Sequence, residues 1–596
     1  YGHSYVRVLG RLAPEVEPQS AAAELDRLAA ALAAEHPDAL ADVGLSMRSL
    51  HESIVGASGR WLWLLFGAAG LVLLAVCVNV ASLTLTRETA RRHDTAVELA
   101  LGAERRHLMR RIFAESLLLG IGAALLGLGV GVAALGLLRA VAPAGTPRLE
   151  AVHLDLPVVL YGLGAALVCV LLIGSIPALR ARRRQPAGTL GTSATTSGDR
   201  TSQRLRGVLI AAEVAVGVVL LLGGGLLMRT LDRLGEVDPG FAAQELVLGR
   251  VTLSPNRYPE PPDMAGFLAE VERSLVGRPE IAAAGSVTAM PLASGGSSAS
   301  IEIEGLPARS ETPDQVVRRG VSPGFFEALE LPVTAGRAVA ATDTLETLPV
   351  AVVNERFAER FLRDRTPLGQ RIRIGVEDDP DSPWRAIVGV VGDVRGERLD
   401  EAPVAEVYVP IGQWPSRIAT LVARPAASRS AALDALRETP SQVRSGQVVS
   451  SLTTMEEVLA GELSTRRFLG RLIGAFALLT LVLVAVGVYG VVALAVAERR
   501  TEIAIRQALG ASRASVVGRL LRWSALLLAA GLVAGLALAV PAGDLLAGYL
   551  YGVEPMDVVT VVGVCLLLLL VGFLATLRPA LRGAGVDPAK TLRSEV

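Results

Sequence analysis

The chain has 596 residues, of which 51% are hydrophobic and 19% are charged, and its mean hydropathy of +0.47 is too high for one soluble domain. The 58 basic and 58 acidic residues cancel, so the net charge favours no nucleic-acid partner. Lys590 is the one lysine and lies in Asp-Pro-Ala-Lys-Thr, which excludes the Gly-Lys-Ser/Thr of a nucleotide-binding P-loop.

Seven apolar stretches are long enough to cross a bilayer as helices, because ~20 residues span its ~30 Å hydrocarbon core. They are 61–85, 113–138, 156–179, 207–228, 472–497, 523–543 and 558–577. Their carboxylates are Glu115, at the mouth of the second stretch, and Glu213, inside the fourth. The sequence therefore predicts a multi-pass α-helical membrane protein.

Arginine is concentrated in alternate connections between these spans. One set holds 24 Lys and Arg residues, and the other set holds two. The basic set is 86–112, 180–206, 498–522 and 578–596, and the other set is 139–156 and 544–557. Because positive loops stay in the cytoplasm, residues 1–60 and 230–465 are predicted to lie outside the cytoplasm.

The insert 230–465 alternates strand-like and helical runs, which predicts an exported α+β domain. Strands are predicted at 301–303, 350–353 and 386–391, helices at 264–276 and 355–362, and a polar loop at 294–300. A further helix is predicted at 21–35, in the first outer segment. The chain begins with Tyr1 and has no signal-like segment, so its opening resembles the interior of an exported domain. If both halves of the chain consist of a span, a domain and three spans, one more span and most of a first exported domain are expected upstream.

The chain contains an internal duplication. Residues 91–103 read RRHDTAVELALGA and residues 499–511 read RRTEIAIRQALGA, an offset of 408. Pro-Ala-Leu-Arg occurs at the end of a span at 177–180 and just after a span at 579–582. Corresponding helices carry the pairs Gly127/Gly131 and Gly531/Gly535, a spacing that lets membrane helices approach closely but that a glycine-rich chain also produces by chance.

Further motifs run through the insert and the first span. They are Val-Cys77-Val-Asn79-Val-Ala-Ser-Leu, Val321-Ser-Pro-Gly-Phe-Phe-Glu-Ala-Leu, Val353-Asn354-Glu355, Pro367-Leu-Gly369 and Val388-Gly-Val-Val-Gly-Asp393-Val. With the repeated Ala-Leu-Gly-Ala, this combination resembles the FtsX-like, MacB-type permeases of ABC transporters, in particular those with two permease units in one chain.

The resemblance implies a domain organisation for the whole chain. Residues 1–60 would be the end of a first MacB-type periplasmic core domain, and 230–465 a second such domain. The three-span FtsX-like units would be 61–185 and 466–596, with a cytoplasmic linker at 186–206 and the first span of the second half at 207–229.

The resemblance also implies a division of labour between subunits. Such permeases couple a separate cytoplasmic ATPase, expected to be a homodimer, to the exported domain for efflux or for handling envelope substrates. ATP would be used by that partner, so no cofactor is expected in this chain. Membrane lipid, a periplasmic adaptor and an outer-membrane channel are the other expected partners. The alternative is a membrane sensor or scaffold that regulates an envelope partner without moving a substrate.

The repeated cytoplasmic loops are the candidate ATPase-coupling elements. Glu502 and Arg506 are four residues apart and would share one face of a short helix, followed by Leu509, Gly510 and Ala511. The first copy has Asp94 and Glu98 in the corresponding places, followed by Leu101, Gly102 and Ala103. The two acids depart from the family's acid–arginine pattern, so equal docking at both loops is not expected. A solvated intrahelical pair is the alternative for Glu502 and Arg506.

Glu213 and Asn79 are the candidate polar residues inside predicted spans. Glu213 is six residues from the cytoplasmic end of its span and can pair with Arg204 or Arg206 or reach the interface, although intramembrane carboxylates often serve a function. For Asn79 an interhelical hydrogen bond is expected rather than a ligand.

The sequence favours neither catalysis nor a metal. The segment 230–465 has no His and no Cys, the six His of the chain lack His-x-x-x-His spacing, and no Gly-x-Ser-x-Gly is present. The acidic run at 377–381 lacks the spaced oxygens and glycine of a calcium loop, and is predicted to be a solvated hairpin tip. A membrane-anchored enzyme is thus the less favoured alternative.

Overall fold

The apolar stretches fold as long helices because in lipid every backbone N–H and C=O must be satisfied within its own segment. The computed structural model describes residues 9–14, 16–35, 45, 47–90, 105–141, 152–167, 195–306, 314–375, 382–498, 500–509 and 511–585. Two compact units are present: a sheet unit, Tyr1–Leu50 with Leu234–Leu463, and a helical unit, His51–Arg233 with Ser464–Val596.

Helices account for most of the described chain. In chain order they are α1 Pro18–Glu35, α2 Leu50–Ala90, α3 Arg105–Val141, α4 Leu156–Leu167, α5 Thr195–Gly235, α6 Pro261–Val276, α7 Phe325–Leu329, α8 Glu355–Phe361, α9 Arg429–Val443, α10 Met455–Glu498, α11 Arg500–Ala508, α12 Arg513–Leu546 and α13 Val558–Ala584.

Among the described residues, six helices are long and apolar enough to cross a membrane, and they confirm six of the predicted spans. The segments are Leu62–Ser82, Gly120–Ala140, Arg206–Gly235, Arg466–Glu498, Arg513–Tyr549 and Val558–Ala584. The remaining predicted span, 156–179, begins as the shorter apolar helix α4, and its second half lies outside the described residues.

Helix α5 forms the centre of the helical unit. Its apolar residues recur every four positions, which places them on one stripe, and this stripe packs against α10, α12 and α13 in one buried cluster. The cluster includes Val214, Val218 and Leu222 of α5, Val484 and Val488 of α10, Leu528 and Leu532 of α12, and Leu568 of α13. A second cluster joins α2 to α5 and α10 through Ala75, Val216 and Ala477.

Glycines allow α12 to lie very close to α5. A Cβ atom built on Gly531 would lie 2.6 Å from Cβ of Val214, and one built on Gly535 would lie 2.6 Å from Cβ of Val218. Any larger residue would force the two helices apart, so this pair of glycines is a true helix–helix contact of the kind the spacing permits.

Within the part of the sheet unit that the structure describes, eleven strands form one hydrogen-bonded sheet. They are β1 Val247–Thr252, β2 Ile281–Val287, β3 Ser297–Ile303, β4 Asp314–Val321, β5 Val333–Gly336, β6 Val350–Asn354, β7 Arg371–Ile374, β8 Arg385–Val391, β9 Glu406–Pro410, β10 Ile418–Pro425 and β11 Val449–Thr454. The predicted strands and helices of the insert are confirmed. The predicted polar loop 294–300 is wrong from Ser297 onward, because these serines pair with β4 as part of β3.

The strand order divides the sheet into two lobes. In one lobe, β11, β1, β10 and β2 are antiparallel, and α6 and α9 cover an apolar core with Val251, Phe267 and Leu436. In the other lobe, β4, β3, β7, β8, β6 and β9 close into a ring, because β9 pairs in parallel with β4. This ring leaves no free edge among its six strands and encloses a second core.

A buried ion pair crosses the β4–β9 pairing. The guanidinium of Arg319 donates through Nε and Nη2 to both oxygens of Glu406, at 3.1 and 2.8 Å, and through Nη1 to the carbonyl of Ala289 at 2.6 Å. Tyr408 donates to Glu406 at 2.7 Å. Burial raises the pKa of Tyr408 well above its usual value, and the Glu406 charge adds to this. The network is fully satisfied and therefore stabilises the closed ring.

Candidate functional site

The short helix α11 lies between the membrane helices α10 and α12. Glu502 is in its first turn and Arg506 is four residues later, which is the favourable orientation for an intrahelical ion pair and for the helix dipole. Their side chains are 2.5 Å apart and about half exposed. An exposed pair of this kind contributes only ~0.3–0.5 kcal/mol, so other contacts must hold α11 in place.

Those contacts are made with the helical unit. Ile503 and Ala504 are buried, at 7% and 0% exposure. The side-chain amide of Gln507 donates to the carbonyl of Ala584, at the end of α13, at 3.0 Å. One face of α11 is thus fixed to the bundle, and the face with Glu502 and Arg506 is accessible.

The turn after α11 presents an apolar side chain to solvent. The backbone N–H of Leu509 donates to Ile505 and that of Ala511 donates to Arg506, at 3.0 and 2.9 Å, which ends the helix. The hydroxyl of Ser512 then caps α12 by accepting from the N–H of Ser515. The Leu509 side chain is 83% exposed, so it is accessible to another molecule.

Behind α11 lies a cavity of about 180 Å³. It is lined by Arg206, Val491, Ala495, Glu498, Glu502, Ile503, Arg506, Ala511, Ser515, Val516, Arg519, Leu520 and Trp523. Arg206, at the beginning of the apolar part of α5, donates through Nη1 to both oxygens of Glu498 at 2.9 and 3.2 Å. This pair ties α5 to the end of α10, directly next to α11.

Arg206 pairs with a residue that the sequence did not suggest. The sequence allowed Glu213 to pair with Arg204 or Arg206 or to reach the interface, but seven helical residues separate Arg206 from Glu213 by ~10 Å. Glu498 lies close to Arg206 and pairs with it. Glu213 itself is 2% exposed, and its Oε1 has no hydrogen-bond partner among the described residues.

Asn79 and Glu213 both face α10. The amide nitrogen of Asn79 donates to the carbonyl of Leu483 at 2.9 Å. The carboxylate of Glu213 lies against Gly487, and a Cβ atom at that glycine would collide with it. Both side chains therefore take part in packing α2 and α5 against α10.

The other predicted site residues lie outside the described residues. These are Asp94, Glu98, Leu101, Gly102 and Ala103 in the first loop, and Gly510 in the second. The acidic run at 377–381 also lies outside them. Within the ranges that the structure describes, no group of three or more His, Cys, Asp or Glu side chains could hold a metal ion.

Sequence reasoning missed the groups that surround α11. Glu498 and Gln507 belong to the same repeat, but their partners are 292 and 77 residues away. The available signal was Glu498 itself, a carboxylate at the end of an uncharged span, which requires a basic partner at that depth.

Two family models match the chain. The MacB-like periplasmic core domain matches residues 209–439, and the FtsX-like permease C-terminal domain matches residues 66–186 and again 474–588. The double match agrees with the duplication seen in the sequence.

The relatives include transporter permeases. The uncharacterized ABC transporter permease YknZ of Bacillus subtilis is 25% identical over 285 residues, which are 46% of this chain and 69% of YknZ. The pyoverdine export ATP-binding/permease protein PvdT of Pseudomonas syringae pv. tomato is 26% identical over 273 residues, which are 44% of this chain. The chain spans only 40% of the length of PvdT.

Among solved structures, the periplasmic region of MacB from Actinobacillus actinomycetemcomitans matches at 15% identity with a TM-score of 0.27. That match covers 38% of this chain and 95% of the other.

Proposed function

Because the chain belongs to the FtsX-like, MacB-type permeases of ABC transporters, we propose that it couples a separate cytoplasmic ATPase mechanically to its periplasmic domain. It is a multi-pass inner membrane protein with a periplasmic core domain. The proposed work is efflux or the handling of an envelope substrate. PvdT, whose name describes pyoverdine export, supports export of a small molecule.

The observation that carries this proposal is the position of α11. The periplasmic domain joins α5 to α10, so the opposite ends of these helices, with Arg206 and Glu498, belong to the cytoplasmic side. Helix α11 follows Glu498 directly, is anchored to the bundle through Gln507 and exposes Leu509. A short helix fixed to the membrane helices is suited to pass the movement of a docked ATPase to α10 and α12.

The same proposal assigns the remaining segments. Residues 61–185 and 466–596 would be the two permease units, and 1–60 the end of a first periplasmic domain. A homodimeric ATPase would meet both cytoplasmic loops and use the ATP. A periplasmic adaptor and an outer-membrane channel would complete an export path.

The test replaces Leu509 by Asp and measures co-purification of the chain with ABC ATPases encoded beside it. Because Leu509 is 83% exposed, the substitution leaves the fold intact but places a charge in the apolar contact. We expect at least a tenfold loss of bound ATPase and of coupled ATP turnover, since ~2 kcal/mol is usual for a central apolar contact. Leu509→Met should retain both.

Ser512→Asp is the matched control, because it adds the same charge three residues away and keeps a side chain that caps α12. Wild-type behaviour of Leu509→Asp, or an equal loss with Ser512→Asp, would contradict docking through the end of α11. Transport is then measured with the ATPase and the chain in vesicles, as ATP-dependent movement of a labelled substrate panel.

A further inference from the structure

The cavity behind α11 combines a charged part with an apolar part. Its charged part consists of Arg206, Arg506, Arg519, Glu498 and Glu502. We call the whole cavity, with both of its parts, the arginine cavity. All of its lining residues belong to the helical unit.

The guanidinium of Arg206 is only partly used by the protein. Arg206 is 3% exposed, and its Nη1 carries the bond to Glu498. Its Nε and Nη2 are buried and have no hydrogen-bond partner in the part of the chain that the structure describes. Arg319 in the sheet unit, which is equally buried, uses all three nitrogens. Buried donors of this kind need acceptors, and an anion bound in the cavity would supply them.

The charged side chains of the arginine cavity, three arginines and two glutamates, have one positive charge in excess. Glu498 is paired with Arg206, and Glu502 is paired with Arg506. Arg519 is exposed and forms no ion pair among the described residues. A singly charged anion with several oxygen acceptors, such as a phosphodiester, matches both the excess charge and the two open donors.

Apart from Ser515, the rest of the lining is apolar, and most of it belongs to the membrane helices α10 and α12. Val491, Val516, Leu520 and Trp523 belong to α10 and α12, close to the cytoplasmic ends of their spans. Tryptophan is enriched at this interface because its ring is apolar and its N–H is polar. A free phosphate would use only the arginines, whereas a phospholipid would also fill the apolar wall with the beginning of an acyl chain.

We propose that the arginine cavity binds the phosphate of an anionic membrane phospholipid. Arg206 and Arg519 would donate hydrogen bonds to the phosphate, and Trp523 would pack against the beginning of the lipid's acyl chain. Basic pockets between membrane helices on the cytoplasmic side are suited to anionic headgroups. The site does not depend on an ATPase, so it is independent of the coupling role proposed above. A bound lipid would fix α5, α10 and α12 beneath α11.

The test uses the purified full chain, delipidated in detergent and titrated with phosphatidylglycerol or phosphatidylcholine, with adducts counted by native mass spectrometry. We expect phosphatidylglycerol to bind one to one at lower concentration than phosphatidylcholine. Arg519→Gln should weaken this binding about fivefold, which is the equivalent of ~1 kcal/mol per basic residue at a membrane surface. Arg522→Gln is the matched control, because Arg522 is exposed on the same helix but does not line the cavity.

Arg519 is the decisive position because it is exposed, and its replacement does not disturb a buried pair. Arg206→Gln would also leave Glu498 without its partner. A loss of lipid binding by this variant therefore supports the proposal only if its unfolding temperature is unchanged. Equal affinity for the two lipids, or equal affinities of Arg519→Gln and Arg522→Gln, would overturn the proposal. Inorganic phosphate that binds as tightly as phosphatidylglycerol would overturn the lipid assignment.

Discussion

The two copies of the repeat carry the same glycine spacing but differ in packing. In the second copy, Gly531 and Gly535 of α12 lie against Val214 and Val218 of α5. In the first copy, Gly127 and Gly131 of α3 have none of the described residues within 4 Å of a built Cβ atom, and the described chain buries none of the apolar segment of α3. The spacing alone therefore does not make an interface, because a partner helix must also be present.

The first copy is joined to the second through its first span. Ala75 of α2 packs against α5 and α10, and Asn79 bonds the carbonyl of Leu483. The repeat offset of 408 makes Gly487 the counterpart of Asn79. At equivalent positions the first copy thus has a polar side chain directed at α10, whereas the second has a glycine that accommodates Glu213.

The largest expected effect comes from filling the packed glycine position. Gly535→Leu should destabilise the helical unit by ~2–3 kcal/mol, because its side chain would overlap Val218 and the backbone of Ala215. Gly127→Leu, the substitution at the position that the repeat offset of 408 matches to Gly535, should change stability by less than ~0.5 kcal/mol. The measurement is hydrogen exchange of α5 and α12 in the purified full chain. Similar protection of the two variants would refute the difference in packing.

The sequence predicted the parts of the fold that depend on local composition. Six spans follow from uncharged stretches of ~20 residues, and the Glu502–Arg506 pair follows from a spacing of four. The helices extend past the apolar stretches, as α12 does by starting at Arg513, because helix formation continues into the polar interface.

Long-range pairings could not be predicted in the same way. The ring of strands depends on the parallel pairing of β4 with β9, and nothing in the local alternation of either strand specifies that partner. The Arg206–Glu498 pair joins residues 292 positions apart. Glu213 is on the same helix as Arg206, about two turns further into the span. It is closer to Arg206 than Glu498 is along the sequence, but Glu498 is closer in space.

A smaller effect is expected at the equivalent positions Asn79 and Gly487. Gly487→Ala should cost ~1–2 kcal/mol, because its methyl group would press on the buried carboxylate of Glu213. Asn79→Ala should cost ~0.6 kcal/mol, the average for one interhelical hydrogen bond in a membrane. Unfolding temperatures in the same detergent give the comparison. The double variant Gly487→Ala/Glu213→Ala should recover stability, and failure to do so would show that the carboxylate is not the obstacle.

Substitutions of the charged residues in the two cytoplasmic loops should have the smallest effect on stability. Their effect on coupling to the ATPase is not expected to be the smallest. The second loop has Glu502 paired with Arg506, whereas Asp94 and Glu98 of the first are both acidic, and like charges at this spacing repel by ~0.3–0.5 kcal/mol. We predict that Arg506→Glu reduces co-purification of the ATPase more than Glu98→Arg does. Glu98→Arg should even strengthen it, since it restores the pattern of the second loop.

The paired experiment is carried out at ~0.1 M and ~1 M salt, because the Debye length falls from ~10 to ~3 Å over that range and a charged docking surface should weaken with it. Leu509 provides the internal reference, since the loss caused by Leu509→Asp rests mainly on an apolar contact and should persist at high salt. Equal losses from Arg506→Glu and Glu98→Arg would mean that both loops dock alike despite their different charges. If neither substitution reduces ATPase binding, the charged face of α11 is not part of the contact, and the movement of the ATPase must reach α10 and α12 by another surface.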